Sequence, residues 1–429
     1  LSEPGSAAAP IMHFQLPNAR AGLPYAHSIA ASSTDVRVRA LRIPEGLGMQ
    51  AGAAPGGISG TPATPGEYEI GIDYRFADDP ANHLRQAVVK LIVTPDPRTL
   101  WKNLPTDPQA PYWKPDHFCK ALAGAHMHAV AASTRGRSHA HVGSFRDDAV
   151  DIGLVGDTGW YFAVVADGAG SARYSREGAS LICQIAGARI AAALDASLGA
   201  AAGHALDAAA QACQGACAGM VSAPAGEALQ QLRQLASSVV GNAAYYAAKA
   251  IMDECTAREA DLHPAPSFKD YASTALIAIC KRYPFGTLCA AYWVGDGAVA
   301  AYSQRDGVIL LGEGDSGDYA GETRFLDGAA VTPEALLART RVAIVPQLTA
   351  LILMSDGVSD PKFETDARLR RAADWDALWT ELVAEAGVAS VAPVANSTGA
   401  GLSKKQQLLA WLDFWSQGNH DDRSIAIIQ

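Results

Sequence analysis

In Trp160-Tyr161-Phe162-Ala163-Val164-Val165-Ala166-Asp167-Gly168-Ala169-Gly170-Ser171, seven apolar residues run straight into an Asp-Gly pair and then a turn rich in Gly and Ser. Such a run is a strand signal, and the turn after it leads toward a helix beginning near Ser175. From His139 onward the chain alternates strands and helices in this way. A long helical region, rich in alanine, extends from Ser175 to about Ala260, with breaks near Gly199–Gly203 and Ala223–Gly226. Alanine costs little side-chain entropy in a helix and allows close packing. Strands are expected at Ala275–Arg282, Leu288–Val294, Val299–Ser303, Leu348–Met354 and Ser424–Ile428, and late helices around Trp375–Glu385 and Ser403–Trp415. Upstream of His139, Phe118–Ala132 reads as a further helix, with His126 and His128 on different faces; these two, like His139 and His141, are read as structural.

The first hundred residues have a different composition. Val36–Ile43, Glu67–Tyr74 and Gln86–Val93 alternate or run apolar over strand-like lengths, with turn signals such as Pro55-Gly56-Gly57 and Thr64-Pro65-Gly66 between them. Short strands with regular turns suggest an antiparallel β-sandwich. Between the two regions, Thr94–Asp116 is rich in proline, which favours a stiff or packed connection.

The chain has 429 residues, 34 Lys+Arg against 44 Asp+Glu, and 49% hydrophobic residues. A large buried core follows, and the acidic balance argues against a nucleic-acid-binding role. No apolar run is long enough to span a bilayer, and no secretory signal pattern opens the sequence, so the expectation is a cytoplasmic protein. The seven cysteines are scattered and odd in number, a poor disulfide framework. Cys213 and Cys217, one helical turn apart, have no partner pair to complete a metal site.

The placement of aspartates carries the chemistry. Apolar strand signals run into Asp167-Gly168, Asp296-Gly297 and Asp356-Gly357; Asp360 follows shortly, Asp147-Asp148 precedes an apolar segment, and Asp421-Asp422 precedes the last strand. Asp-Gly is also a hairpin-turn signal, and that bland alternative suits Asp296-Gly297 best, since strand residues flank it on both sides. If the strand ends converge, several carboxylates share one pocket and need cations to stay ionised. Oxygen-only ligands select hard ions such as Mg²⁺ or Mn²⁺, and two such ions suit phosphate-ester hydrolysis.

These motifs, in order, resemble the metal-dependent protein phosphatases of the type 2C serine/threonine class over roughly residues 135–429. They are Ser138-His139 with Arg146-Asp147-Asp148-Ala149, Val165-Ala166-Asp167-Gly168-Ala169-Gly170-Ser171, Ala272-Ser273-Thr274-Ala275, Val294-Gly295-Asp296-Gly297, Met354-Ser355-Asp356-Gly357-Val358-Ser359-Asp360 and Asp421-Asp422-Arg423-Ser424. Tyr174-Ser175-Arg176-Glu177-Gly178-Ala179 is similar to the bacterial branch. The resemblance implies an α+β fold, a four-layer αββα sandwich. It implies that Asp167 bridges two Mg²⁺ or Mn²⁺ ions with the Gly168 carbonyl on the second, that Asp356 and Asp421 complete the first, and that Asp147 lies near the second. Asp148 would act through water, and Asp296 and Asp360 would hold a weaker third ion. The implied reaction is attack of activated water on phosphoserine or phosphothreonine, in a phosphoprotein phosphorylated by a cognate kinase.

Two positions depart from the pattern. The family's phosphate-binding arginine falls at Gly143, leaving Arg146, Arg137 or Arg135 as substitutes; the histidine that eukaryotic members carry after the first Asp-Gly is Ala169. A catalytically weak pseudophosphatase that binds phosphoproteins is therefore the competing expectation. Gly314–Phe325 falls where the family has a mobile flap. Upstream, Ile43-Pro44-Glu45-Gly46-Leu47, Ile58-Ser59-Gly60-Thr61-Pro62 and Gly66-Glu67-Tyr68-Glu69-Ile70 resemble bacterial immunoglobulin-like domains, a module expected to bind a protein partner or pack on the catalytic part. The expected organisation is an immunoglobulin-like sandwich over 11–95, a linker over 96–117 and a catalytic domain over 118–429.

Overall fold

The computed structural model describes residues 12–79, 81–195, 201–214, 226–312, 314–315, 323–388 and 402–429. Cys217, most of the expected helix break at Ala223–Gly226, the start of the one at Gly199–Gly203 and most of the expected flap lie outside them. The chain divides into two compact units, with the boundary between Lys102 and Asn103.

The larger unit contains eleven described strands: β1 (His117–Ala123), β2 (His128–Thr134), β3 (Ala149–Val155), β4 (Trp160–Ala166), β5 (Ala275–Tyr283), β6 (Gly286–Val294), β7 (Ala298–Ser303), β8 (Gly307–Gly312), β9 (Thr340–Val345), β10 (Ala350–Met354) and β11 (Arg423–Ile428). They form a six-stranded sheet in the order β1-β2-β11-β10-β7-β8 and a five-stranded sheet in the order β3-β4-β5-β6-β9. The described helices are α1 (Arg137–Val142), α2 (Ser175–Leu194), α3 (Ala201–Ala212), α4 (Glu227–Ala257), α5 (Pro333–Ala338), α6 (Asp356–Phe363), α7 (Asp366–Leu369), α8 (Ala372–Glu385) and α9 (Lys404–Trp411).

Alternation along each strand sorts side chains into three cores. In β4, Tyr161, Ala163 and Val165 turn toward the other sheet and meet Ala129, Ala301, Leu353 and Ala426. Trp160, Phe162, Val164 and Ala166 point the opposite way, into α2, α3 and α4. On the six-stranded sheet, Ala350, Ile352 and Met354 pack beneath α8 and α9 with Trp375, Leu378, Trp379 and Trp411. The result is a four-layer αββα sandwich. A strand buried on both faces must be apolar throughout, which is why these segments read as continuous runs.

The helix expected over Phe118–Ala132 is instead the antiparallel pair β1–β2, with His117 opposite Thr134 and Ala123 opposite His128. Its alanines favour a helix by intrinsic propensity, but Ala129 and Ala131 are buried between the sheets and Val130 and Ala132 beneath the outer helices. Small residues on both faces let the strand lie close to its neighbours, and that packing overrides propensity.

Through Thr94 the smaller unit is all β among its described residues, and a single 3-10 turn follows at Pro97–Leu100. A four-stranded sheet runs Ala19–Arg20, Arg85–Thr94, Gly66–Phe76 and Val36–Arg42, and a three-stranded one runs Tyr25–Ser28, Gly57–Gly60 and Met49–Ala51. Leu47, Ile58, Ile70, Ile72 and Leu91 are buried in its core. This arrangement is compatible with a β-sandwich. No described helix in either unit is long and apolar enough to cross a membrane.

Trp375 is fully buried, stacks near Tyr302 and Phe363, and donates its indole N–H to the Leu369 carbonyl at 2.7 Å. Trp375→Ala should cost about 3–5 kcal/mol of unfolding free energy, from lost burial and the cavity left behind, measured by urea denaturation of the full chain.

Candidate metal centre

The aspartates come from the ends of strands in both sheets. Asp147 and Asp148 precede β3, Asp167 follows β4, Asp356 follows β10 and opens α6, Asp360 lies within α6, and Asp421 and Asp422 precede β11. Asp296 differs from its sequence reading. Strands β6 and β7 belong to different sheets, so Gly295-Asp296-Gly297 is a crossing between sheets and not a hairpin. Gly295 has φ of 118°, and a Cβ there would lie 2.5 Å from the Thr274 side chain; a Cβ on Gly297 would lie 2.5 Å from the Met354 carbonyl oxygen. Only glycines fit this passage, and it delivers Asp296 to the seam between the sheets.

Carboxylate oxygens of Asp167, Asp296 and Asp356 lie within 4.8 Å of one another. The Asp167 amide receives no strand partner but donates to Thr274 Oγ1 at 2.9 Å, while its carbonyl accepts from the Thr274 amide at 2.7 Å. Asp148 is buried, and its Oδ2 accepts from Ser355 Oγ at 2.9 Å; Ser355 in turn accepts from the Ser424 amide. Burial raises the Asp167 and Asp148 carboxyls well above the usual range, and neighbouring carboxylates add to it. Burial likewise pushes Asp147 and Asp356 up to about 6, and raises Asp360 and Asp421. Desolvation and like charge act in the same direction on these acids.

Asp422 behaves differently. It accepts from the Gly136 amide at 2.6 Å and from the amides of Asp147 and Asp148, and pairs with His139 Nδ1 at 3.2 Å. Burial alone would raise its carboxyl, but His139 and these amides hold it below the ordinary value. It fastens the acidic loop to the start of β11.

His139, read as structural from the sequence, lies against the acidic loop, a placement that sequence reasoning did not show. Its Nδ1 bonds the Phe145 carbonyl oxygen at 2.7 Å, and its Nε2 lies 3.5 Å from Asp421 Oδ1. Burial opposes its charge, yet Asp422, Asp147 and Asp421 lift the imidazole to about 10. The available signal was its position in Ser138-His139, eight residues before Asp147, but spacing alone could not show that α1 turns the ring inward. The arginines are engaged elsewhere. Arg146 donates to Ser133 Oγ, the Asp148 carbonyl and the Pro115 carbonyl. Arg137 pairs with Asp413 and lies over Trp415, and Arg135 binds Asn103, Leu104 and Ser144 and pairs with Asp116.

The sequence profile of the family described as "Protein phosphatase 2C" matches residues 135–413. The chain belongs to this family. It is a protein phosphatase, and the matched stretch runs from Arg135, through β4 and the sheet crossing, to the edge of the Asp421 loop. No curated protein matches the chain. Among solved structures, the phosphatase is similar to RsbX in complex with magnesium (10% identity, TM-score 0.33, 73% of this chain and 99% of that one). It is also similar to the serine/threonine phosphatase Stp1 from Staphylococcus aureus (11% identity, TM-score 0.39, 71% and 95%). A third similar structure is PppA, a regulatory component of T6SS in Pseudomonas aeruginosa (14% identity, TM-score 0.36, 72% and 99%). These likenesses are too distant to add to the family assignment.

The residues of the phosphatase suit divalent cations on two observations. Asp148 Oδ1 and Asp356 Oδ1 are buried acceptors with no hydrogen-bond partner. Gly168 packs so tightly that a Cβ would lie 2.8 Å from the Asp147 carbonyl oxygen, which brings the Gly168 backbone against the acidic loop. Buried oxygens left without donors are costly unless a cation satisfies them. Beside the carboxylates, a cavity of about 1150 Å³ is bounded by Ala169, Ser171, Asp315, Thr323, Arg324 and Arg339. Thr323 donates to Asp296, and Arg339 pairs with Asp315, which ties the described ends of the expected flap to the site.

A raised carboxyl keeps in the folded state a proton that the unfolded chain releases. Metal-free stability should therefore fall as pH rises from about 4 through 6, and the cost of ionised Asp356 is fully present above that window. In chelator, Asp356→Asn should melt higher than wild type at pH 7.5, by roughly 1–3 kcal/mol of stability, and should show no such gain at pH 4, read by scanning calorimetry.

Proposed function

We propose that this phosphatase hydrolyses phosphoserine and phosphothreonine in proteins, using two Mg²⁺ or Mn²⁺ ions with a weaker third. The convergence of carboxylates from both sheets, two of them with buried unpartnered oxygens, carries this reading. Bound there, such cations supply an activated water and neutralise charge on the transferring phosphoryl group. Asp167 would be shared by the first two, with the Gly168 carbonyl on the second; Asp356 and Asp421 would complete the first, Asp147 would lie near the second, and Asp296 with Asp360 would hold the third. Asp148, fixed by Ser355, would orient water beside them.

His139 takes over the positive role that Gly143 vacates. The Phe145 carbonyl and Asp422 hold Nδ1, which leaves Nε2 facing Asp421 and the Gly170 turn. An N–H at Nε2 would be the donor offered to a phosphoryl oxygen, beside Asp421 Oδ1 at 3.5 Å. Of the engaged arginines, Arg146 braces the acidic loop through the Asp148 carbonyl, while Arg137 ties α1 to Asp413 and Phe414. The same engagement favours the second reading, a pseudophosphatase that recognises phosphoproteins without turning them over.

The N-terminal unit is proposed to be an immunoglobulin-like module over 11–95 that binds a protein partner, in a cytoplasmic protein opposed to a cognate kinase; of the linker expected over 96–117, the part from Asn103 onward is packed within the catalytic unit. Hydrolysis of a phosphothreonine peptide should require Mn²⁺ or Mg²⁺ and stop with chelator; Asp167→Asn should abolish it. Binding of the peptide without turnover at saturating Mn²⁺ would establish the pseudophosphatase instead. His139→Ala should lower kcat/KM on the order of a hundredfold while the far-ultraviolet spectrum stays unchanged.

A further inference from the structure

Residues 103–116 lie upstream of the matched family region, yet they belong to the catalytic unit. They run across it as a strap pinned at several points. The Leu104 amide donates to the Ala140 carbonyl at 2.8 Å, at the end of α1. The Arg135 amide donates to the Asp116 carbonyl at 2.8 Å, and its guanidinium reaches Asn103 and Leu104. Tyr112 donates to Glu254 on α4 at 2.9 Å, lies the same distance from the Tyr271 hydroxyl, and packs its ring against Tyr174 and Tyr271. Arg176, in the first turn of α2, donates to the Pro111 and Tyr112 carbonyls.

At the centre of the strap, Lys114 extends its amine beneath the acidic loop. Nζ lies 3.3 Å from the Asp147 carbonyl oxygen, 2.8 Å from that of Asp148 and 3.2 Å from that of Arg176. Three carbonyl acceptors match the three N–H donors of an ammonium, and none is left for another acceptor. Arg146 donates to the same Asp148 carbonyl at 2.7 Å while binding the strap carbonyl of Pro115. The peptide oxygens of both aspartates are thus drawn toward the strap. From the other side, Asp422 holds their amides. With carbonyls and amides both fixed, the backbone sets the direction in which each Cα–Cβ bond leaves the loop.

We propose that Lys114 is a positioning residue for the metal-binding loop Asp147–Asp148, so that the strap 103–116 completes the site of this phosphatase. The proposal rests on the two-metal reading above. Positioning groups behind metal ligands commonly change metal affinity by about 10–100-fold.

The test uses the full chain and measures Mn²⁺ binding by electron paramagnetic resonance of the free ion, beside melting temperature and kcat and KM for a phosphothreonine peptide. Lys114→Met should weaken Mn²⁺ binding about tenfold or more and raise the Mn²⁺ needed for half-maximal kcat. Lys114→Arg, which keeps charged N–H donors at the same place, should recover most of that affinity. Tyr112→Phe removes strap hydrogen bonds remote from the loop; it should lower the melting temperature and leave Mn²⁺ affinity within about twofold of wild type. Unchanged Mn²⁺ affinity in Lys114→Met would overturn the proposal, as would an equal loss in Tyr112→Phe, which would mean general loosening. A wild-type chain that binds no Mn²⁺ would instead overturn the two-metal reading itself.

Discussion

Carboxylates of Asp167, Asp296 and Asp356 approach within 4.8 Å of one another at the seam between two sheets. At such separations their mutual repulsion disfavours ionisation, and burial adds to it on Asp167 and Asp356. Folding alone cannot relax it, because each acid is fixed by the strand that carries it. The rest of the unit is arranged to hold the charges together in spite of this. Two rigid sheets clamp them, Thr274 and Ser355 hold backbone and side chain, and glycines at 168, 295 and 297 let main chain pass where a Cβ would collide. The energy stored by the clamp is what a cation would recover on binding.

The sandwich supplies the stiffness. Helices α2 and α4 cover one sheet and α8 and α9 the other, so that every central strand is buried on both faces. The chain reaches the seam from several directions: down β4, across from β6 to β7, out of β10 and into β11. Residues far apart in sequence are brought to one place, and the hydrogen bonds of Asp422 to Gly136, Asp147 and Asp148 fasten the beginning of the unit to its last strand.

Sequence patterning revealed the fold where physics is local and repetitive. Continuous apolar runs marked β4, β5, β6 and β10, and turn residues marked their ends. It misread β1–β2, where alanine content pointed to a helix and only the neighbouring sheet dictates a strand. It also left Asp296-Gly297 as a plausible hairpin, since whether two successive strands share a sheet is decided by distant partners. The aspartates were legible because their residue type and strand-end placement carry the chemistry. The placement of His139 was not, because its imidazole is held here by the Phe145 carbonyl and Asp422, contacts with no trace in spacing. Arg146 and Arg137 show the opposite: the right residue type nearby, with guanidinium groups committed to other partners.

Strand β11 lies in the middle of the six-stranded sheet, between β2 and β10. During synthesis, the ribosome must therefore deliver residues 423–428 before that sheet can close, and Asp421 and Asp422 emerge only just ahead of them. Until this point a nascent chain has an unzipped sheet and an incomplete set of acids at the seam. A product truncated upstream of this strand leaves the edges of β2 and β10 that pair with β11 open, and open strand edges invite association.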